Sequence, residues 1–165
     1  MAYHVYISNS GSDCLSHFIM NEDTGAVNPQ PDIALDGAPG AVATNPDGSL
    51  MWVALRSAKV LASYSVDKSS GQLSQIGASA QDEGPPYLAT DNTVSYLLSS
   101  YYGSGQVAVH RINPDGTLSD APIQTLETDG HAHSIQTDRS NRFAFVPHTN
   151  PANAIFQFRF DEQTG

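Results

Sequence analysis

The sequence predicts an all-β fold, a β-propeller built from four-stranded antiparallel blades. First, a turn motif in which Gly follows a short polar residue recurs every 45 to 49 residues, at Gly25, Gly71, Gly116 and Gly165. Second, runs such as residues 155–160 alternate apolar and polar side chains, as half-buried strands do. Third, no segment sustains the apolar period of about 3.6 residues that is typical of helices. A two-sheet sandwich would explain the strands but not the fixed period.

The same order of elements is predicted within each repeat. An apolar strand is followed by a small polar loop, an alternating second strand, the Gly turn and a weaker third strand. A Gly-rich crossing then leads to a fourth strand, predicted at residues 40–44, 86–90 and 132–137. The chain is therefore interpreted as one partial propeller over residues 1–165, with repeats at approximately 3–49, 50–95, 96–141 and an incomplete 142–165.

About three and a half blades do not close a ring, because closed propellers have about 4–8 blades. Three arrangements follow from this count. The chain is the N-terminal half of a longer propeller, or it closes a ring with a second half or a second copy, or it forms a small ring alone. The last residues resemble the opening of a hairpin, which favours the first arrangement.

Composition restricts the classes of function. The 165 residues include 17 acidic and 7 basic side chains, for a net charge of −10, which disfavours nucleic acid and anionic membranes as partners. No apolar stretch approaches the ~20 residues of a membrane helix, and the N-terminus lacks the pattern of a signal peptide. The single Cys14 excludes an internal disulfide. We expect a cytoplasmic protein without a metal or a cofactor.

Two motifs resemble those of a known family. Residues 101–109 (Tyr-Tyr-Gly-Ser-Gly-Gln-Val-Ala-Val) and residues 130–135 (Gly-His-Ala-His-Ser-Ile) are similar to blade motifs of the lactonase-type seven-bladed propellers. That family includes the 6-phosphogluconolactonases and the 3-carboxymuconate lactonizing enzymes. The chain departs from the family pattern at Gly130, where Pro is usual, and at residues 147–150. The resemblance implies a seven-bladed propeller of about twice this length that acts on a small anionic lactone near its central channel.

The resemblance also implies a catalytic role for one residue, His133, which directly precedes Ser134. It implies that the Arg and Glu partners of this histidine come from later blades, so activity is expected of the longer protein rather than of this chain alone. Chemically, lactone opening or closure needs a group that moves a proton near neutral pH, together with cations or donors that hold anionic oxygens. His133 is accordingly predicted as the acid/base.

Four further residues are predicted to bind substrate. His131 lies two residues before His133, so strand alternation would place both side chains on one face, and His148 follows the next strand. Arg56 follows the strand at residues 50–54, and Tyr102 lies near the equivalent point of the next repeat. Each of these side chains also fits a structural role at a strand end.

Two alternatives to an enzyme remain open at this stage. One is a non-catalytic propeller scaffold or metabolite-binding module, and the other is a half-propeller that completes its ring by association. The expected partners are therefore a small-molecule lactone and either the remaining propeller half or a second copy of the chain.

Overall fold

The structure, a computed structural model, confirms the all-β prediction. It describes residues 2–165, so Met1, where the predicted propeller region begins, lies outside the described residues. Residues 2–165 form strands and turns, and this part of the chain has no helix that could cross a membrane. The strands are β1 (Ala2–Asn9), β2 (Cys14–Asn21), β3 (Val27–Pro29), β4 (Ile33–Ala34), β5 (Pro39–Thr44), β6 (Leu50–Leu55), β7 (Val60–Val66), β8 (Leu73–Ala80), β9 (Tyr87–Thr90), β10 (Tyr96–Tyr101), β11 (Gln106–Arg111), β12 (Gln124–Glu127), β13 (Gln136–Thr137), β14 (Phe143–Pro147) and β15 (Ile155–Arg159).

Four antiparallel sheets follow one another along the chain, and each is one blade. In the first blade β1, β2 and β3 pair in order and β4 also pairs with β2. The second blade has the order β5-β6-β7-β8 and the third has the order β9-β10-β11-β12. The fourth blade contains β13, β14 and β15. The predicted four-stranded antiparallel blade is thus confirmed.

The pairing of the predicted fourth strands differs from the expectation. The strands β5, β9 and β13 each pair with the strand that follows them, and so they begin the next sheet instead of ending the previous one. The physical reason is the short polar turn after each of them, which closes a hairpin, whereas the preceding crossing passes from sheet to sheet. Each sequence repeat therefore spans two blades and joins them covalently. In the last case only Gln136–Thr137 of the predicted 132–137 is regular strand.

Apolar side chains between neighbouring blades form the core. Leu15, Met51 and Val53 lie between the first and second blades, and Trp52 and Leu97 lie between the second and third. A third cluster between the third and fourth blades contains Tyr96, Leu98, Val107, Val109, Ala144 and Val146. Because β6 alternates, its odd-numbered residues pack on the first blade and its even-numbered residues on the third. Each middle blade is therefore buried on both faces.

A buried carboxylate fastens the third blade to the fourth. Asp91, 1% exposed, lies in the turn between β9 and β10, and its oxygens accept hydrogen bonds from the backbone N–H groups of Thr93, Ser95 and Tyr96 at 2.8 to 3.0 Å. The side-chain amide of Asn141, from the equivalent turn of the fourth blade, donates to the same carboxylate at 2.9 Å. Burial alone would raise the pKa of Asp91, but hydrogen bonds from Thr93 and Asn141 outweigh it and the pKa is lowered.

The two ends of the sheets differ in the loops that they carry. Antiparallel pairing puts the loop between β1 and β2, the second-to-third-strand loops of the other blades and the crossings between blades at one end, the upper end. The upper end consists of residues 10–13, 35–38, 56–59, 81–86, 102–105, 128–135 and 148–154. The lower end carries the first-to-second-strand turns and the Gly turns, at residues 22–26, 45–49, 67–72, 91–95, 112–123, 138–142 and 160–165.

A fully buried histidine, His110, lies on β11 between the second and third blades. Its Nε2 lies 3.2 Å from the side-chain nitrogen of Gln81, and its Nδ1 is buried without a hydrogen-bond partner. Desolvation lowers the pKa of His110 to about 4. The imidazole is therefore neutral in the folded protein at neutral pH.

Replacing Asp91 by Asn should destabilise the protein by about 2–3 kcal/mol, because the amide loses a charge-assisted acceptor in a buried site. The matched control is Asp138→Asn, in the equivalent turn of the fourth blade, where the carboxylate accepts from Ser140, Arg142 and Phe143 at a less buried position. Its cost should be clearly smaller than that of Asp91→Asn. Chemical denaturation measures both, and equal losses would contradict the role of Asp91 as a buried fastener.

The neutral state of His110 predicts a pH dependence of stability. As pH falls from about 6.5 to about 4, the unfolded imidazole takes up a proton while the folded one does not, so the free energy of unfolding decreases. The loss attributable to His110 should be on the order of 2 kcal/mol. Comparing wild type with His110→Phe at pH 7.5 and pH 4.5 isolates this contribution. A stability difference between the two proteins that stays constant with pH would exclude it.

Candidate functional site

The upper end carries all five residues that the sequence analysis selected. Arg56 and Tyr102 lie in the loops after β6 and β10, and His131 and His133 lie in the crossing before β13. His148 begins the loop after β14. Their common location follows from the antiparallel order of the strands, because each lies in a second-to-third-strand loop or in a crossing. Their burial and contacts differ.

Two aromatic rings stack at the centre of this group. The phenol of Tyr102 lies parallel to the imidazole of His131, with ring centroids 4.4 Å apart and planes inclined by 8°. The backbone N–H of His131 donates to the carbonyl of Tyr102 at 3.0 Å, and the Nδ1–H of His131 donates to the carbonyl of Asn150. The phenol oxygen of Tyr102 is 3.2 Å from the hydroxyl of Thr149. Both rings are therefore held from several directions.

The backbone of His131 is unusual for a side chain of this size. Its φ is +67°, in the left-handed region that favours glycine. The predicted alternation of His131 and His133 on one strand is therefore wrong, because the chain leaves extended geometry at His131. The two histidines are instead related through Tyr102, which contacts both rings. Other non-glycine residues in the described part of the chain, such as Lys59 and Val94, also have a positive φ, so this conformation by itself does not mark His131 as functional.

His133 presents its imidazole to solvent. Its backbone N–H donates to the carbonyl of Pro147 at 3.0 Å, which fixes the backbone. The ring meets Tyr102 edge to face, with centroids 6.2 Å apart and planes inclined by 78°. An exposed imidazole on a fixed backbone is accessible to a bound molecule.

His148 lies below this surface, only 5% exposed. Its Nδ1–H donates to the carbonyl of Val146 at 3.0 Å, and its Nε2 faces the hydroxyl of Thr128 at 2.9 Å. The ring also packs on Phe156, with centroids 4.6 Å apart. These contacts occupy both ring nitrogens and favour a positioning role for His148, which holds the crossing that carries His131 and His133.

Arg56 projects over the first strand of its own blade. A Cβ built at Gly40 on β5 would lie 2.5 Å from the Cδ of Arg56, so this glycine leaves room for the arginine stem. A Cβ at Gly84 would lie 2.7 Å from the Cα of Arg56, which shows how closely the next crossing packs on this loop. Arg56 and Lys59 border an open cleft of about 500 Å³ that is also lined by Ser10 and Glu83.

The lysine and arginine side chains are distributed unevenly between the two ends, whereas acidic residues occur at both. Among residues 2–165, Arg56 and Lys59 are the only lysine or arginine residues at the upper end. The others lie at or beside the lower end: Lys68, Arg111, Arg139, Arg142 and Arg159. The same cleft is lined by Asp82 and Glu83, so Arg56 and Lys59 are cationic groups in a cleft of mixed charge.

Sequence reasoning missed Glu83. Its carboxylate accepts hydrogen bonds from the backbone N–H groups of Gly103 and Ser104, at 2.9 and 3.0 Å, and so joins the cleft to the loop of Tyr102. Its position in the sequence could have identified Glu83, because the Asp-Glu-Gly sequence at 82–84 occupies a crossing equivalent to that of residues 128–135. Among residues 2–165, no three His, Cys, Asp or Glu side chains are grouped as metal ligands would be.

Comparison with a protein-family model identifies a match over nearly all of the chain. The family is described as "Lactonase, 7-bladed beta-propeller", and the matched segments are residues 2–85 and 61–165. The family shares the predicted blade architecture.

Curated relatives carry one name. The 6-phosphogluconolactonase of Serratia proteamaculans is 29% identical over 143 residues, which are 87% of this chain and 42% of that protein. The protein of the same name from Xenorhabdus nematophila is 33% identical over 103 residues, 62% of this chain and 31% of that protein. The chain thus spans less than half the length of these relatives.

Solved structures agree in fold. A putative 6-phosphogluconolactonase from Bacteroides uniformis superposes with a TM-score of 0.87 at 19% identity, covering 98% of this chain and 48% of the other. The periplasmic gluconolactonase of Pseudomonas aeruginosa superposes with a TM-score of 0.84 at 21% identity, covering 96% of this chain and 50% of the other. At these identities the likeness concerns the fold.

The left-handed backbone of His131 predicts that replacement by glycine destabilises the protein less than replacement by alanine. His131→Gly and His131→Ala both remove the imidazole, but only glycine adopts this φ without strain, so the glycine variant should be more stable by about 1 kcal/mol. Thermal or chemical unfolding of the two variants measures the difference. A more stable alanine variant would show that residue 131 does not have this conformation.

Proposed function

The chain belongs to the seven-bladed β-propeller lactonase family, and on that premise we propose that its upper end acts in the hydrolysis of a small anionic lactone, 6-phosphogluconolactone. The names of the curated relatives support this substrate. Because the chain spans less than half the length of those relatives, the activity and substrate of the whole protein form part of the proposal.

One observation carries the proposal: the upper end combines an exposed imidazole with the only two Lys/Arg side chains that the described residues place at that end. His133 is exposed and is held beside Tyr102 and His131, while Arg56 and Lys59 border the cleft. A group that moves protons and a cationic anchor are the two requirements of hydrolysing an anionic lactone. Both occur at the same end of the sheets.

His133 is proposed as the general base. It takes a proton from a water molecule whose oxygen attacks the lactone carbonyl carbon and forms a tetrahedral adduct. The adduct then breaks the bond between that carbon and the ring oxygen, and the imidazolium returns the proton to the departing oxygen. The product is an open-chain hydroxy acid whose carboxyl group ionises at neutral pH. A histidine suits both steps because it titrates near neutral pH.

Arg56 and Lys59 are proposed to bind the phosphate of the substrate. A guanidinium presents several N–H donors in a plane that matches phosphate oxygens, while an ammonium acts as a compact charge. The stem of Arg56 lies over Gly40, so its charged group extends across the first strand of the blade. Tyr102 and His131 are proposed to border the sugar ring, and His148 supports them from below.

The family resemblance also implies a second reaction, the lactonization of a carboxymuconate. This reaction is assayed alongside hydrolysis of the phosphorylated lactone.

The cytoplasmic location also remains a proposal, supported by the single Cys14, whereas one structural neighbour is named as periplasmic. Cell fractionation with an antibody against the chain tests it, and recovery in the periplasmic fraction would contradict it.

His133→Ala should lower kcat for 6-phosphogluconolactone by about 10²-fold or more, because the proton transfer loses its base. Arg56→Ala should chiefly raise KM, since it removes a contact made to both the ground state and the transition state. Steady-state kinetics of the full-length protein with the phosphorylated lactone separate the two effects.

Arg139→Ala is the matched control for Arg56→Ala, since it removes an exposed arginine at the lower end. It should leave KM within about twofold of wild type, because a single surface charge in screened solvent has a weak long-range effect. Unchanged turnover by His133→Ala of both the phosphorylated lactone and the carboxymuconate would overturn the proposed function. Loss of only the carboxymuconate activity would reassign the substrate.

A further inference from the structure

The carboxylate of Glu83 connects the crossing between the second and third blades to the loop that follows Tyr102. Glu83 lies in the crossing between the second and third blades, and its two oxygens accept from the consecutive backbone N–H groups of Gly103 and Ser104. Those amides belong to the loop between β10 and β11, directly after Tyr102. Hydrogen bonds to an ionised acceptor are shorter and stronger than neutral ones. The loop of Tyr102 is therefore held by the preceding crossing.

The packing around Glu83 leaves little freedom. A Cβ at Gly103 would lie 2.8 Å from Oε1 of Glu83, so the absence of a side chain there lets the carboxylate approach the backbone. On the other side, the backbone of Gly84 packs against the backbone of Arg56, where an added Cβ would lie 2.7 Å from the Cα. Gly84 thus fixes the crossing to the loop of Arg56, and Glu83 fixes it to the loop of Tyr102.

The consequences extend to the histidines through Tyr102. Its carbonyl accepts from the N–H of His131, its ring stacks on His131, and its edge meets His133. A shift of the loop at residues 102–105 would therefore displace the support of both imidazoles. The opposite side of the crossing, at Arg56, makes its contact through backbone atoms and does not depend on the carboxylate.

We propose that Glu83 is a positioning residue that sets the orientation of the Tyr102–His131–His133 group relative to Arg56. The catalytic part of this inference rests on the proposed function, whereas the structural part does not. Glu83 is not assigned a direct role in proton transfer, because both of its oxygens already accept backbone N–H groups. Its contribution is to keep the acid/base group and the anion-binding group in one geometry, which is the condition for efficient reaction of a bound substrate.

The structural part is tested by NMR on Glu83→Gln. The amide side chain has one acceptor oxygen, and its NH₂ group faces the second backbone N–H, so at least one of the two hydrogen bonds is lost. Amide hydrogen exchange at Gly103 and Ser104 should accelerate by about tenfold or more. The nuclear Overhauser contact between the rings of Tyr102 and His131, which lie 4.4 Å apart, should weaken or disappear.

Glu127→Gln is the matched control, since it makes the same substitution at an exposed position on β12 of the third blade. It should leave the exchange of both amides within about twofold of wild type. Glu83→Asp provides a second variant that retains the charge but shortens the reach, and it should also release at least one amide. Full protection of both amides and an intact ring contact in Glu83→Gln and Glu83→Asp would overturn the proposal.

The catalytic part of the inference is tested separately, by steady-state kinetics. Glu83→Gln should lower kcat for the phosphorylated lactone by about tenfold while KM stays within about twofold, because the anion-binding side is retained. Because a smaller folded fraction would also lower the apparent kcat at constant KM, kcat is calculated per folded molecule, with the folded fraction measured from the NMR spectrum. If the full-length wild-type protein turns over no lactone, the proposed function fails while the NMR result still decides whether Glu83 positions the loop. Unchanged kcat together with released amides would remove the catalytic part of the inference.

Discussion

In the second, third and fourth sheets, antiparallel pairing of the first strand with the strand that follows it determines where every candidate functional side chain lies. A short polar turn closes that hairpin at the lower end, as Asp91 does between β9 and β10. The crossing that precedes the first strand must then arrive at the upper end, together with the loop between the second and third strands. The catalytic candidates are on those two kinds of segment, so the hydrogen-bonded turns at the lower end indirectly position a site at the other end.

The upper end combines rigid support with exposed chemistry. His148 is buried and fully hydrogen-bonded, Tyr102 and His131 are half-exposed and stacked, and His133 is open to solvent. Buried residues thus hold the exposed imidazole in place, and a binding site needs such support if a bound molecule is to contact side chains in fixed positions. The two upper-end cations lie in a cleft that Asp82 and Glu83 also line, so the proposed anion site depends on direct contacts with Arg56 and Lys59 and not on a net positive field.

The sequence was sufficient for the architecture and for part of the site. The 46-residue period and the alternation of strands such as β15 predicted the blades, and the motif at residues 130–135 led to His133. The strand β5 lies in the first sequence repeat but pairs with β6 of the second blade, since a repeat unit has no intrinsic starting point and only hydrogen bonding shows which strands pair. The left-handed backbone of His131 and the carboxylate contact of Glu83 were equally inaccessible, because both depend on contacts between segments far apart in sequence.

The most direct test of the account is to map where an anionic product binds. Titrating the protein with 6-phosphogluconate and following backbone amide shifts by NMR distinguishes the two ends of the sheets. Shift changes concentrated in residues 56–59, 102–105 and 131–133, and reduced by Arg56→Ala, are the predicted result. Changes confined to the lower-end turns, or equal changes in wild type and Arg56→Ala, would contradict a substrate site at the upper end.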